Sequence, residues 1–284
     1  MDASSKGIVM NLKHRYLAIL ASAVWLFTAQ VSLAQVSPGE TNPQVIMQAV
    51  SDVKAGDKMS ATLVLQVTDA SGGQRNRKLN VRALNVNEGR KLLMSFTAPS
   101  DVKGTGLLSY DYDAASRDDD QWLYLPSVKK STRIVSNQKS GAFMGTDFTY
   151  ADMTKANVAS YRYKLLKGSD TVNGEDCWVI ESVPVDDKTR GETGYMKTWT
   201  WVSKSKLLPI RVKAWVIQGK RIKFIQFNQY KQIDGVWVAH QLVAETKRKK
   251  KRESQTVMQY SNLRLNDNAV SEDLFTQRGL EKGI

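Results

Sequence analysis

Hydrophobic and polar residues alternate with a period of two along most of the chain from Lys58 onward. This alternation is typical of β-strands, because successive side chains of a strand point to opposite faces of the sheet. Turn-forming residues such as Ser71-Gly72-Gly73, Asn173-Gly174 and Asp234-Gly235 separate the runs about every eight to twelve residues. The pattern predicts about eleven strands and has no spacing suited to parallel βαβ units. We therefore predict a mainly β protein built on one antiparallel sheet that is strongly curved or closed.

One segment before the strands has helical spacing instead. Apolar residues recur every three to four positions between Pro43 and Val53. Pro43 suits the first position of a helix, Asn42 can cap that position, and Gly56 ends the pattern. The sequence therefore predicts one short amphipathic helix at the N-terminal side of the sheet.

The first 34 residues have the three parts of a secretory signal peptide. Lys13, His14 and Arg15 form a basic region, residues 16–27 form an apolar run, and Ser32-Leu33-Ala34 is a small-x-small cleavage site. The apolar run is short for a membrane-spanning helix, although an uncleaved N-terminal anchor is the alternative. We expect cleavage after Ala34, a single domain over residues 35–284, and a periplasmic location.

Charge and cysteine content narrow the class of partner and the compartment. The formal net charge is +13, which favours an anionic partner such as lipid head groups. Nucleic acid is the rival partner for a basic protein, but the export signal argues against it. The chain has one cysteine, Cys177, so no internal disulfide can form, and its strand-like neighbours indicate a small buried hydrophobic residue.

The residue patterns that catalysis or metal binding requires are missing from the sequence. The two histidines, His14 and His240, stand apart from each other and from Cys177, without metal-ligand spacing. The sequence contains neither a Gly-rich phosphate loop between a strand and a helix nor a Gly-x-Ser-x-Gly nucleophile motif. The carboxylate run Asp118-Asp119-Asp120 is either a cation site or a solvated turn. We therefore predict a binding protein that is not an enzyme and has no cofactor or metal.

The most informative stretch lies between residues 120 and 152. A short strand at residues 122–125 ends at Pro126, which cannot donate a backbone hydrogen bond to a sheet. Later in the stretch, bulky apolar residues stand among turn-forming residues, so they have to pack on another apolar surface or on a ligand. Asp147 is expected to bind local backbone N–H groups in an Asx-type turn.

These segments resemble a known family. Trp122-Leu123-Tyr124-Leu125-Pro126, the run from Phe143 to Phe148 and Tyr150-Ala151-Asp152 resemble the outer membrane lipoprotein-sorting protein family, which is similar to the periplasmic carriers LolA and LolB. Asp234-Gly235-Val236-Trp237, Leu274-Phe275 and Leu280 look like its later motifs. Thr146 stands where that family usually has Ser, and it keeps the hydroxyl.

The resemblance implies both a fold and a role. The implied fold is an unclosed, highly curved antiparallel β-barrel whose mouth is covered by helices over an apolar cavity. The implied role is that of a periplasmic carrier or chaperone that binds the acyl chains of a lipid or lipoprotein. Such a carrier often works beside an inner-membrane transporter of the resistance-nodulation-division (RND) type. The alternative role is an envelope interaction or sensor module that binds a protein partner.

Two sets of residues are candidates for the binding functions. The cavity is expected to be lined by Trp122, Tyr124, Phe143, Met144, Phe148 and Tyr150, with ordinary core packing as the alternative for each. The basic run consists of Lys247, Arg248, Lys249, Lys250, Lys251 and Arg252. Because six consecutive cations repel one another, the run is expected at an exposed hairpin tip or edge, where it docks on a membrane or partner or is simply solvated.

Overall fold

The computed structural model describes residues 36–53, 56–114 and 116–283. The predicted signal peptide and its cleavage site lie outside these residues. Thirteen strands form one antiparallel sheet within the described part of the chain. They are β1 (Lys58–Asp69), β2 (Gln74–Val86), β3 (Gly89–Ala98), β4 (Gly106–Tyr112), β5 (Asp120–Leu125), β6 (Lys130–Arg133), β7 (Tyr161–Val172), β8 (Glu175–Pro184), β9 (Tyr195–Ser203), β10 (Pro209–Val216), β11 (Arg221–Ile233), β12 (Val236–Arg248) and β13 (Lys251–Leu265).

The order of the strands leaves the curled sheet open. Their order across the sheet is β6-β5-β4-β3-β2-β1-β13-β12-β11-β10-β9-β8-β7, so pairing of β1 with β13 joins the two halves of the chain. The free edges are β6 and β7, which are consecutive in sequence. The segment 134–160 therefore runs from one edge of the opening to the other. We call it the plug segment.

This architecture confirms the predicted fold class: a mainly β protein with an unclosed, strongly curved antiparallel sheet and an N-terminal helix. The strands are somewhat more numerous than the predicted eleven or so. The pattern missed β6, because Lys130 to Arg133 show no apolar alternation and three of these four residues are exposed.

The plug segment and three helices complete the described fold. The plug contains four single-turn 3₁₀ helices, at Ser136–Gln138, Phe143–Gly145, Ala151–Met153 and Val158–Ser160. The α-helices are α1 (Pro43–Asp52), α2 (Asp187–Thr193) and α3 (Gln277–Lys282), and a fifth 3₁₀ turn at Glu272–Leu274 precedes α3. As predicted, Asn42 caps α1 by accepting a hydrogen bond from the Gln44 backbone N–H at 3.0 Å.

The largest apolar cluster fills the concave face beside β1 to β4. Alternate residues of β1, including Leu63 and Leu65, pack there with apolar residues of β2, β3 and β13. Phe143 and Phe148 of the plug belong to the same cluster and are 0% and 3% exposed. The N-terminal half of the hollow is therefore filled by the protein's own side chains.

A second apolar cluster lies on the convex face of β3 to β5. Leu93 and Leu108 are buried there beneath Val270, Phe275 and Leu280 of the C-terminal segment. A third cluster packs Ile46 of α1 against the buried Trp178 of β8. None of the described helices is long and apolar enough to cross a membrane.

Candidate functional site

The middle of the plug segment folds into a tight turn. Met144 and Gly145 both have left-handed backbone conformations, with φ of 49° and 71°. The Phe143 backbone N–H donates to the Phe148 carbonyl at 2.7 Å, and a bridge joins Ala142 to Thr149. The chain therefore folds back on itself, which presses the two Phe side chains into the concave core.

The hydroxyl of Thr146 stabilises this turn. It donates to the Phe143 carbonyl at 2.7 Å and accepts from the Phe148 backbone N–H at 3.2 Å. A serine has the same hydroxyl and could form the same two hydrogen bonds. Thr146, which stands where the family usually has Ser, therefore keeps both bonds of the turn.

Asp147 has a different role from the predicted one. Its carboxylate accepts hydrogen bonds from the hydroxyls of Thr246, Ser254 and Thr256, which lie on β12 and β13, and its own backbone N–H donates to Thr256 at 2.9 Å. The predicted local Asx-type turn is therefore wrong. Asp147 is 7% exposed, and it fastens the plug to strands about a hundred residues later in the chain.

A second polar cluster fastens the plug five residues further along the chain, at Asp152. The Tyr195 hydroxyl lies 2.9 Å from each carboxylate oxygen of Asp152, and the Lys223 ammonium lies 2.6 Å from that hydroxyl and 3.2 Å from Asp152. The Lys223 side chain is 6% exposed, so the ion pair compensates a buried charge. Burial raises the pKa of Tyr195 well above its usual value, which keeps its hydroxyl protonated.

A cavity of about 420 Å³ remains between the plug and the concave face of β9 to β12. Its apolar wall consists of Phe148 from the plug and Val212, Ala214, Ile225, Phe227 and Leu242 from β10, β11 and β12. Hydroxyl-bearing residues, among them Thr198, Thr200 and Tyr161, continue the lining. The volume is within the range of small-molecule binding sites, which is roughly 300 to 1,000 Å³.

The mouth of the cavity is charged. The loop between β4 and β5 contributes Asp118 and Asp119, and α2 contributes Lys188 and Glu192. Lys188 donates to Asp118, so an ion pair joins the loop to the helix at the mouth. Burial raises the pKa of Asp119 to about 6, against the opposing effect of its hydrogen bond from the Tyr112 backbone N–H.

The predicted cavity residues occupy three different places. Phe148 lines the cavity. Phe143, Met144 and Tyr150 pack in or against the concave core cluster. The register of β5 puts Leu123 on the concave face and turns Trp122 and Tyr124 to the convex face, where they pack against the cluster under the C-terminal segment. Contact of these six residues with a ligand stays a prediction.

The residues that form most of the apolar wall were not among the candidates. Val212 and Ala214 on β10, and Ile225 and Phe227 on β11, alternate with polar or aromatic neighbours, so the period-two signal was present in the sequence. The pattern does not show that the plug fills the other half of the hollow, so it could not indicate that these residues line a cavity.

The basic run lies where the sequence predicts. Lys249 and Lys250 form the two-residue tip of the β12–β13 hairpin, each with positive φ, and both are exposed. Lys251 begins β13 and pairs in register with Arg248. None of the side chains of the basic run lines the cavity.

The remaining candidate chemistry is structural. Among the described residues, no group of three or more His, Cys, Asp or Glu side chains is arranged to hold a metal. In the carboxylate run, Asp118 and Asp120 form ion pairs with Lys188 and Arg133. Cys177 is fully buried as predicted, and burial raises the pKa of its thiol to about 11, so the reactive thiolate is disfavoured.

Comparison with known proteins identifies the fold and the family. A family model described as "Uncharacterized protein" matches residues 88–282. A domain designated outer membrane lipoprotein-sorting protein from Vibrio parahaemolyticus is 31% identical, with a TM-score of 0.75, over 84% of this chain and 98% of that domain. No curated protein was found to match the chain.

Two further solved structures are similar. A DUF1329 family protein from Desulfovibrio piger is 27% identical, with a TM-score of 0.74, over 84% of this chain and 97% of that one. A LolA superfamily protein from Nitrosomonas europaea, at 20% identity and a TM-score of 0.62, covers 84% of this chain and 99% of its own length and shares the fold. These neighbours are binding proteins without enzymatic activity, which agrees with the prediction that the chain is not an enzyme. This chain shares its fold with the Vibrio domain and is 31% identical to it in sequence over nearly all of that domain. The chain therefore belongs to the outer membrane lipoprotein-sorting protein family.

Proposed function

We propose that the protein is a periplasmic carrier that holds the acyl chain of a lipid or lipoprotein in the cavity between the plug and β9 to β12. The observation that carries this proposal is the amphipathic lining, with an apolar wall formed by Val212, Ile225, Phe227 and Leu242 and a charged mouth at Asp118 and Lys188. Residues 1–34 serve in this proposal as a cleaved signal peptide, and residues 35–284 as a single domain.

The apolar wall supplies the binding energy in this proposal. Each CH₂ group transferred from water gains roughly 0.8 kcal/mol, so ten of them gain about 8 kcal/mol before the ordering costs of binding are subtracted. An acyl chain needs no specific hydrogen bonds in the wall, which suits a carrier that binds cargo and then releases it. The polar part of the ligand would remain near the charged mouth.

The experiment that tests the carrier role is mass spectrometry of lipids extracted from protein purified from its native periplasm. We expect a copurified acylated molecule in the wild type and its loss in Phe227→Glu, because a carboxylate in the apolar wall is costly to desolvate. Gln232→Glu is the matched control, since it adds the same charge at an exposed position of the same strand that does not line the cavity. Both variants should keep the β-sheet circular dichroism spectrum.

An empty wild-type cavity would contradict the carrier role. If a protein partner copurified with that empty form, an envelope interaction or sensor module would be the better description. Equal lipid content in Phe227→Glu and wild type would show that the ligand binds elsewhere.

We further propose that the basic run docks the carrier on an RND-type inner-membrane transporter or on the anionic membrane beside it. Replacement of Lys249, Lys250 and Lys251 by Gln should weaken binding to that partner and flatten its salt dependence, because exposed charges act over a screening length of about 10 Å at 0.1 M salt. The lipid content of the cavity should not change. Unaltered binding in the triple variant would leave the run as a solvated hairpin.

A further inference from the structure

The convex face of β9, β10 and β11 carries aromatic and cationic side chains instead of the usual mixture of polar residues. We call these residues the Trp–Lys face: Trp199, Trp201, Arg211, Lys213, Trp215 and Phe224. They alternate along the strands with Thr200, Val212 and Ile225, which line the cavity. The Trp–Lys face is therefore on the side of the sheet opposite to the proposed binding site.

The strand register brings cations and aromatic rings together on this face. Lys213 pairs with Trp199 on one side and with Phe224 on the other. Its ammonium lies 4.5 Å from the ring centre of Trp215, 5.2 Å from that of Trp199 and 5.9 Å from that of Phe224. Trp199 and Trp215 make an edge-to-face contact with ring centres 4.9 Å apart.

Aromatic rings position Lys213. Among the described residues, its ammonium forms no ion pair with a carboxylate, whereas the neighbouring Lys197 and Lys247 pair with Glu181 and Glu245. Cation–π contacts hold a charge in place without neutralising it, since the ring carries no net charge. The centre of the face therefore keeps its positive charge for an external anion.

The Trp–Lys face is continuous with the basic run. Lys247, the first residue of the run, lies 5.3 Å from the Phe224 ring centre, and Arg248 pairs in register with Arg221 at the start of β11. Exposed apolar residues lie near the same strand ends. Met196, near the start of β9, is 56% exposed, and Ile217, just after β10, is 43% exposed.

We infer that the Trp–Lys face rests on an anionic lipid bilayer, with its indole rings at the level of the head groups. Tryptophan is enriched at membrane–water interfaces, because its apolar body and polar N–H suit that boundary. Lysine is depleted in protein–protein interfaces, whereas it is favoured on surfaces that bind anionic lipids. The inference rests on the proposed carrier function, to which it adds an orientation: the convex face lies on the membrane, and the cavity is on the other side of the sheet.

The test measures binding of the mature protein to vesicles of phosphatidylcholine with or without phosphatidylglycerol, some of them carrying brominated acyl chains that quench nearby tryptophan. We expect binding only to the anionic vesicles and quenching of the wild-type fluorescence. Lys213→Gln should weaken binding about fivefold, the effect of roughly 1 kcal/mol per cation near the surface. The double variant Trp199→Phe and Trp215→Phe should lose most of the quenching.

Two controls separate the face from other surfaces. Trp237→Phe removes an indole on β12 that stacks with Lys206 outside the Trp–Lys face, so it should leave the quenching almost unchanged. The Gln variant of Lys249, Lys250 and Lys251 should bind more weakly yet keep full quenching at saturating lipid, because the face still makes contact.

Several results would overturn the inference: absence of quenching in bound wild type, equal affinity in Lys213→Gln, or binding to an acidic protein without binding to vesicles. The lipid content of the cavity is measured on the same preparations. An empty cavity with intact vesicle quenching would refute the carrier function and leave the membrane-facing surface standing, so the two failures are distinguishable.

Discussion

Asp147 illustrates what a sequence pattern can and cannot predict for a single residue. An aspartate beside Gly145 and Thr146 is typical of a local turn, and a turn is indeed present. The carboxylate, however, binds three hydroxyls about a hundred residues away. Threonine and serine are common on any strand, so nothing in the neighbourhood of Thr246 or Thr256 indicates a buried partner.

The pKa of Asp119 leads to a prediction at the residue scale. Its value is raised by burial from 3.8 to about 6, so the folded protein binds a proton more tightly than the unfolded chain does. Between pH 4 and pH 6 this group makes the folded state less stable as the pH rises. Because Asp119 is only partly buried, we expect an effect on the order of 1 kcal/mol.

Asp119→Asn removes the titration of this carboxyl group. The difference in stability between this variant and wild type therefore reports on Asp119 and not on the other acidic groups. The free energy of unfolding in urea, measured at pH 4, 5, 6 and 7, should show a growing advantage of Asp119→Asn over wild type as the pH rises, levelling off above pH 6. The matched variant Asp118→Asn should not show this gain, because the hydrogen bond from Lys188 lowers the pKa of Asp118. A constant difference between Asp119→Asn and wild type across the series would refute the prediction.

At the scale of elements, period-two patterns located almost every strand but could not assign its faces. On β5, Trp122 and Tyr124 are the larger and more conspicuous residues, whereas Leu123 is the one that faces the concave core. A strand with apolar residues on both faces has no polar side to indicate its orientation. The convex face of β5 is covered by the C-terminal segment, and a strand's own sequence does not encode such a cover.

Helix α3 provides the central part of this cover. Leu280 is 1% exposed and packs so closely over β4 that a side chain at Gly106 would stand 2.6 Å from its methyl group. Leu280→Ala should therefore lower the free energy of unfolding by about 2 to 5 kcal/mol, the usual cost of a large cavity in a core. The midpoint of urea unfolding measures this loss.

Arg278→Ala tests whether the loss of stability in Leu280→Ala arises from the packing of Leu280. Arg278 is an exposed residue of the same short helix, so its replacement should change the free energy of unfolding by less than about 0.5 kcal/mol. An equal effect of the two substitutions would contradict the packing explanation, because replacement of an exposed residue leaves no cavity.

At the scale of the whole molecule, the alternation and spacing of residues predicted one antiparallel sheet that is strongly curved or closed, the N-terminal helix and the exposed basic hairpin. That the sheet is unclosed was implied by the family resemblance alone. The sequence did not predict which half of the hollow stays empty. That outcome depends on the plug. It links β6 and β7, which are the two edges of the sheet and consecutive in sequence, and it fills the side of the hollow beside β1 to β4. The remaining cavity lies against β9 to β12, where the alternating residues look like ordinary core. The position of a cavity is a property of the complete packing arrangement, so no local pattern encodes it.

The mouth of this cavity gives the last prediction. The ion pair between Lys188 of α2 and Asp118 of the β4–β5 loop is about half exposed on each side, at 55% and 47%. An exposed pair is worth up to about 1 kcal/mol, and Lys188→Asp also places two carboxylates side by side. We therefore expect it to speed exchange of a fluorescent fatty acid from the cavity by about fivefold or more. Addition of salt to the wild type should have an effect in the same direction.

Charge reversal of both partners completes the test. If the pair holds the mouth closed, the double variant Lys188→Asp and Asp118→Lys should return the exchange rate to that of the wild type. The pair Asp187 and Arg190 lies within α2 itself, so exchanging its two charges serves as the control and should leave the rate unchanged. A double variant as fast as Lys188→Asp would show that the charge of α2, and not its contact with the loop, controls access.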